Sequence, residues 1–204
     1  MFGYHWLDGT DRGRLALYIL DVSGHGVGAS LLSVSVWHTL RWQMLPGVDF
    51  GDPAKVLEAL NLAFPIDQNQ GKLISAWYGI YDPRRGSLKF ASAGHPPPIA
   101  RLGSSGPLKL LDHADVILGA HPEAIYGTRE INMPPMSRLW LYSDGTFEVR
   151  SDEGNVLGLN GLTKFVIQAD AADNPVEHLV GKIRQFNRKD RLEDDLALVA
   201  FTFK

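Results

Sequence analysis

Leu15-Ala-Leu-Tyr-Ile-Leu20 is a short apolar run bounded by Gly13 and by the glycine-rich stretch Asp21 to Gly28, and it predicts a buried strand. From Ala29 to Met44 the residues Leu31, Leu32, Val34, Val36, Trp37, Leu40 and Met44 cover most of a helix surface. That pattern predicts a helix packed on several sides. Asp52-Pro53 marks a second helix start, with the carboxylate as N-cap and proline at the first helical position, and Val56, Leu57 and Leu60 mark its buried face. Ile74–Tyr81 and Ser87–Ala93 flank Asp82-Pro-Arg-Arg-Gly86, whose proline and glycine suit a tight reversal, so a hairpin is expected. Pro96 to Pro98 stop its second strand, and a strand over Ile99–Leu102 comes next. Arg138–Ser143 reads as a buried strand running into Asp144-Gly145. Asn174-Pro175 repeats the cap-and-proline device before Val176, Leu179, Val180, Ile183 and Phe186 at helical spacing. Leu196–Phe203 is almost wholly apolar and predicts a strand that is central or covered on both faces. Hairpins with helices gathered in a few places argue for antiparallel sheets covered by helices in one domain over residues 1–204, not a doubly wound parallel sheet.

Composition narrows the chemistry. Twenty basic residues stand against twenty-three acidic ones, which leaves no electrostatic footprint for nucleic acid or an acidic membrane surface. The absence of cysteine excludes a disulfide framework, thiol catalysis and thiolate zinc sites. The longest stretch without a charged residue, Val22 to Leu40, carries three glycines, four serines and two histidines, too polar to span a bilayer. The first residues have neither the basic nor the apolar region of a secretory signal, so a cytoplasmic protein is expected.

Three apolar strands meet a carboxylate. Leu15–Leu20 stops at Asp21, Leu139–Ser143 stops at Asp144, and Asp194-Asp195 precedes the last strand. Asp is a poor strand residue, and one such Asp reads as a turn or cap. Three of them on neighbouring strands would repel one another unless a cation lay between, and hard oxygen donors favour Mg²⁺ or Mn²⁺. The loop Asp21-Val-Ser-Gly-His-Gly-Val-Gly28 invites comparison with nucleotide-binding loops but matches none. Its glycines give G-x-G-x-G, and no G-K-[ST] is present, which argues against a dinucleotide site. A nucleotide-dependent oxidoreductase is left as a third class that NAD(P) or flavin titration would remove. His25 in this loop is a candidate general acid, with a backbone-satisfied loop histidine as the alternative. His95 and the five tryptophans Trp6, Trp37, Trp42, Trp77 and Trp140 are expected to be structural.

DVSGHGVGASLL (21–32), ASAGHPPPI (91–99), LYSDGTFE (141–148) and EDDLALVAF (193–201) occur in this order, with Leu118-Gly119 and Val156-Leu-Gly158 between them. Together they resemble the SpoIIE/RsbU-type branch of the metal-dependent (PPM, protein phosphatase 2C-like) serine/threonine phosphatases. The resemblance implies an α+β fold, a four-layer α-β-β-α sandwich of mostly antiparallel sheets flanked by helices, with a binuclear Mn²⁺ or Mg²⁺ centre. Carried over, Asp21 bridges the ions, Val22 gives its carbonyl, and Asp144, Asp194 and Asp195 complete the metal ligands. A metal-bridging hydroxide would then attack phosphorus directly, with His25 as acid. The family's Gly-Gly-Asp-type motif precedes its first strand pair, and Phe2-Gly-Tyr-His-Trp-Leu7 resembles the segment on the C-terminal side of that motif. The domain therefore reads as truncated at its N-terminus and short of one carboxylate of the second ion. Asp8 and Asp11, in an expected hairpin turn, are poor substitutes. Ser137 and Gly28 are smaller departures. The implied partner is a phosphoprotein, with a STAS-type anti-anti-sigma regulator as one form of it, an upstream sensor or receiver domain in the full-length protein, and a homodimer left open. The alternative function is a catalytically weakened phosphatase fold that signals by docking.

Overall fold

The computed structural model describes residues 1–7, 13–113, 115–188 and 195–204. In chain order the elements are β1 (Phe2–Trp6), β2 (Leu15–Val22), α1 (Val27–Arg41), α2 (Pro53–Ala63), β3 (Ile74–Asp82), β4 (Ser87–Ala93), β5 (Ile99–Arg101), β6 (Leu108–Leu110), β7 (Arg129–Asn132) and β8 (Ser137–Tyr142). A 3₁₀ turn (Asp144–Thr146), α3 (Gly158–Ala169), α4 (Pro175–Asn187) and β9 (Leu198–Phe203) complete the order. Among the described residues the architecture is mixed α/β, with two antiparallel sheets and four α-helices. The chain packs as two compact units, Met1–Pro97 with Asp112–Pro135, and Pro98–Leu111 with Met136–Lys204.

The first unit holds the five-stranded sheet, ordered β1-β2-β3-β4-β7. Alternation along β2 sends Ala16, Tyr18, Leu20 and Val22 into a core shared with Val36 and Leu40 of α1 and Val56, Leu57 and Leu60 of α2. Full burial of each such aliphatic side chain stabilises by about 1.5–3 kcal/mol. The other face of β2 and its neighbours carries Leu17, Ile19, Trp77 and Phe90, all buried, and Trp77 stacks on Phe90 with ring centroids 5.8 Å apart. The expected hairpin is β3–β4, paired from Asp82↔Ser87 to Trp77↔Ser92. Its turn is fixed by Arg84 N–H donating to Asp82 Oδ1 at 2.9 Å. Asp52 caps α2 as its sequence suggests, accepting from Ala54 N–H at 3.1 Å with Pro53 in the first helical turn.

The second unit holds the sheet β6-β5-β8-β9. Trp140 and Tyr142 of β8 pack with Leu162, Val166 and Ala169 of α3 and Leu179 and Ile183 of α4. Asn174 caps α4, accepting from Glu177 N–H at 3.3 Å.

Three expectations are corrected. The first helix is not packed on several sides: Ala29, Val36 and Leu40 are buried, while Val27, Leu31 and Val34 are exposed. Among the described residues the last strand is an edge strand that pairs with β8, and its residues are mostly half-buried, so an apolar run here does not mean a central position. Trp42, one residue past α1, is 62% exposed, whereas Trp77 and Trp140 are core residues as expected. The sequence pattern did not show α3, β6 or β7. Asp8 and Asp11 lie outside the described residues.

Candidate functional site

In the first unit, Asp21 does not lie beyond the strand but belongs to it, opposite Ser75 in the β2–β3 ladder. It shares a face with Leu17 and Ile19, so the face that is apolar along most of β2 turns acidic at its last position. Asp21 is half-buried, and its Oδ1 accepts the N–H of Val22 at 3.0 Å, which fixes the carboxylate against its own backbone. Val22 is buried and closes the strand opposite Ile74.

The loop after β2 is clamped at its base. Ser23 N–H donates to the carbonyl of Leu73 (2.8 Å), and Leu73 N–H donates to Ser23 Oγ (2.8 Å). Gly26 then takes φ of 94° as the N-terminal boundary of α1, a conformation that a side chain disfavours, which is why the reversal from strand to helix uses glycine. Between these points His25 is exposed to solvent and within reach of an incoming molecule.

In the second unit, β8 and β9 are antiparallel, and Tyr142↔Leu198 is the last pair before the acidic residues. Ser143 joins the two strands there. Its N–H donates to the Ala197 carbonyl (3.0 Å), its Oγ donates to the Asp195 carbonyl (3.2 Å), and Ala197 N–H donates to that Oγ (3.0 Å). Asp144 opens the 3₁₀ turn, with Oδ1 held by Gly145 N–H at 2.8 Å. Its carbonyl accepts from the N–H groups of Phe147 and Glu148, both at 2.9 Å. Thr146, fully buried, donates to the Ser143 carbonyl at 2.7 Å. The turn thus brings the backbones of Asp144 and Asp195 to one end of the β8–β9 sheet, whereas Asp21 ends a strand of the other sheet, so the three carboxylates do not lie on neighbouring strands. Asp194 lies outside the described residues, and among the described residues no three His, Asp or Glu side chains form a cluster.

The donor chemistry suits a hard divalent cation. Asp21 and Asp144 are each half-buried at the end of an apolar strand, and each has Oδ1 held by the next residue's N–H, so the carboxylate is oriented by backbone. Ser75 beside Asp21, and the His95 that contacts Ser75, had no separate signal in the sequence. Ser75 stands across the ladder from Asp21, and Ser75 Oγ lies 3.1 Å from Nδ1 of the buried His95. The expectation that His95 is structural fits its burial, but its partner could not be read from spacing.

Two antiparallel sheets with helices packed on them define a fold class shared with known phosphatase domains. A family model for Stage II sporulation protein E (SpoIIE) matches residues 11–204, and the chain belongs to that family. It is 26% identical over 187 residues to phosphoserine phosphatase RsbP of Bacillus subtilis (strain 168), covering 90% of this chain and 42% of that protein. Among solved structures, the SiaA-PP2C domain of Pseudomonas aeruginosa matches with a TM-score of 0.80 at 20% identity, over 100% of this chain and 80% of that one. RsbX in complex with magnesium matches with a TM-score of 0.66 at 15% identity, over 100% and 87% of the two chains. The fold is therefore that of PP2C-type phosphatase domains. The chain spans less than half of RsbP.

Proposed function

We propose that this chain is a metal-dependent phosphatase domain acting on phosphoserine or phosphothreonine of a protein partner in a signalling pathway. The observation that carries the reading is the carboxylate of Asp21, set by backbone at the end of a buried strand and next to an open glycine loop that presents His25. Asp21, the Val22 carbonyl, Asp144, Asp194 and Asp195 are the groups that would hold Mn²⁺ or Mg²⁺. When bound, such ions neutralise phosphoryl oxygens and acidify water. The chain's own residues do the rest. The carboxylates fix the charge of the site, and the loop glycines let backbone approach the phosphoryl group. His25 hands a proton to the departing serine or threonine oxygen as the P–O bond breaks and water oxygen bonds to phosphorus, leaving inorganic phosphate. RsbP bears the name phosphoserine phosphatase, and RsbX is described with magnesium, which supports this substrate class and metal type. A STAS-type regulator is the partner favoured here, with a sensor or receiver domain elsewhere in the full protein. A cytoplasmic location fits such a substrate, and no helix among the described residues is long and apolar enough to cross a membrane.

The test is hydrolysis of a phosphoserine peptide with added Mn²⁺ or Mg²⁺. Release of phosphate is expected with metal and not with chelator, and Asp21→Ala and Asp144→Ala should each lower kcat by about two orders of magnitude or more. Variants as active as the parent would overturn the assignment. Metal binding without turnover at any Mn²⁺ concentration would favour a phosphatase fold that acts by docking.

A further inference from the structure

The face of the first sheet that bears Leu17, Ile19, Trp77 and Phe90 is apolar until its end, where four polar residues gather. Asp21 lies opposite Ser75 across the β2–β3 ladder, and Ser92 lies opposite Trp77 across the β3–β4 ladder. His95 reaches the same end from beyond β4, because Gly94 turns the chain with φ of 66° and bridges in parallel to Ala76. The histidine is held at both ends: Nδ1 lies 3.1 Å from Ser75 Oγ, and its carbonyl accepts from Ser92 Oγ at 3.3 Å. It is only 3% exposed.

Burying the His95 imidazole and the Ser92 hydroxyl, with Ser75 half-buried beside them, costs free energy that an apolar strand end would avoid. A strand end that needed only to stop has turn residues for the purpose. Directly opposed residues of an antiparallel pair project to the same side with Cβ atoms about 5 Å apart. A hydroxyl on Ser75 is therefore a close neighbour of the Asp21 carboxylate, and its direction is set by the imidazole behind it.

With Asp21 read as a metal ligand, as above, we propose that Ser75, oriented by His95, is a positioning residue for that carboxylate. Asp21 Oδ1 is set by the N–H of Val22; the Ser75 hydroxyl fixes the plane of the carboxylate from the opposite strand. His95 acts through Ser75 and touches neither ion nor substrate. Outer residues that orient a ligating side chain typically change metal affinity by about 10–100-fold when removed.

The experiment is calorimetric titration of Mn²⁺ into the parent and into Asp21→Ala, Ser75→Ala, Ser75→Thr, His95→Leu, His95→Asn and the double variant Ser75→Ala/His95→Leu, with thermal melts of each metal-free protein. Ser75→Ala is expected to weaken Mn²⁺ binding by about 10-fold or more, while Ser75→Thr, which keeps the hydroxyl, stays near the parent. His95→Asn places an amide where Nδ1 was and should retain affinity that His95→Leu loses. Because the two residues act in series, the double variant should bind no more weakly than Ser75→Ala alone. A parent that binds no Mn²⁺, or an Asp21→Ala variant that binds as the parent does, overturns the metal reading and this proposal with it. Loss in Asp21→Ala with Ser75→Ala unchanged overturns the positioning role alone. So does equal loss in Ser75→Thr and Ser75→Ala, or loss that only accompanies a lowered melting temperature. If His95→Leu fails to fold, the two Ser75 variants still decide.

Discussion

His5 sits on β1 with its ring edge-on to Tyr18, centroids 5.8 Å apart, and among the described residues neither ring nitrogen has a hydrogen-bond partner. Burial, helped by the nearby positive charge of Arg41, pulls its pKa down from 6.5 to about 4. Between these values the unfolded chain binds a proton that the folded protein refuses. The stability contributed by neutral His5 is therefore complete above about pH 6.5 and is lost as pH falls towards 4, by roughly 3 kcal/mol at most. Denaturant midpoints measured from pH 7 to pH 4 should fall for the parent and fall less for His5→Phe; parallel curves would show that His5 titrates alike in the folded and unfolded chain. Asp21 and Asp144 were legible in the sequence because a carboxylate at the end of an apolar run contradicts the propensity of its surroundings. Ser75 and His95 were not. Serine beside a strand start and histidine before a proline run are ordinary in themselves, and only the register that sets Ser75 across from Asp21, with the turn at Gly94, brings them together.

Helix starts are legible where a side chain makes the boundary. The carboxylate of Asp52 and the amide of Asn174 each satisfy an otherwise unpaired N–H, and proline comes directly after each. The start of α1 has no such signal, since Gly26 offers no capping side chain. Apolar periodicity records which residues are hydrophobic, not whether anything covers them, so Leu31, Val34 and Met44 suggested burial that the fold does not provide. The same limit hid the edge position of β9. The end of α3 is tied to its sheet by an interaction with no local signature at all. Asp170 accepts from Arg101 Nε (2.8 Å), Arg138 Nη1 (2.9 Å) and Trp140 Nε1 (3.1 Å), joining the helix to β5 and β8. The carboxylate is only 8% exposed, so removing it leaves two guanidinium groups and an indole N–H without their shared acceptor. Asp170→Ala should lower the free energy of unfolding in urea by about 2–4 kcal/mol. Asp170→Asn, which keeps an acceptor oxygen but no charge, should fall between it and the parent. A loss below about 0.5 kcal/mol would mean that the cluster is no stronger than a surface ion pair.

At the scale of the whole molecule, the proposed metal ligands Asp21, Val22, Asp144, Asp194 and Asp195 come from segments far apart in the sequence. A metal that binds only the folded chain stabilises it by mass action, and protein ligands drawn from distant segments make that stabilisation depend on each. At Mn²⁺ concentrations about 100 times the Kd the gain is about 2.7 kcal/mol. For a chain of this size that amounts to a rise in Tm of roughly 5–10 °C. Adding EDTA should reverse it. The same shift should disappear in Asp21→Ala and, separately, in Asp144→Ala, although the two substitutions lie far apart in the sequence. Cations held loosely on the 23 acidic side chains predict something different: a small rise that survives either substitution and fades with added salt. A full-sized shift persisting in Asp144→Ala would remove the acidic turn at Asp144 from the site.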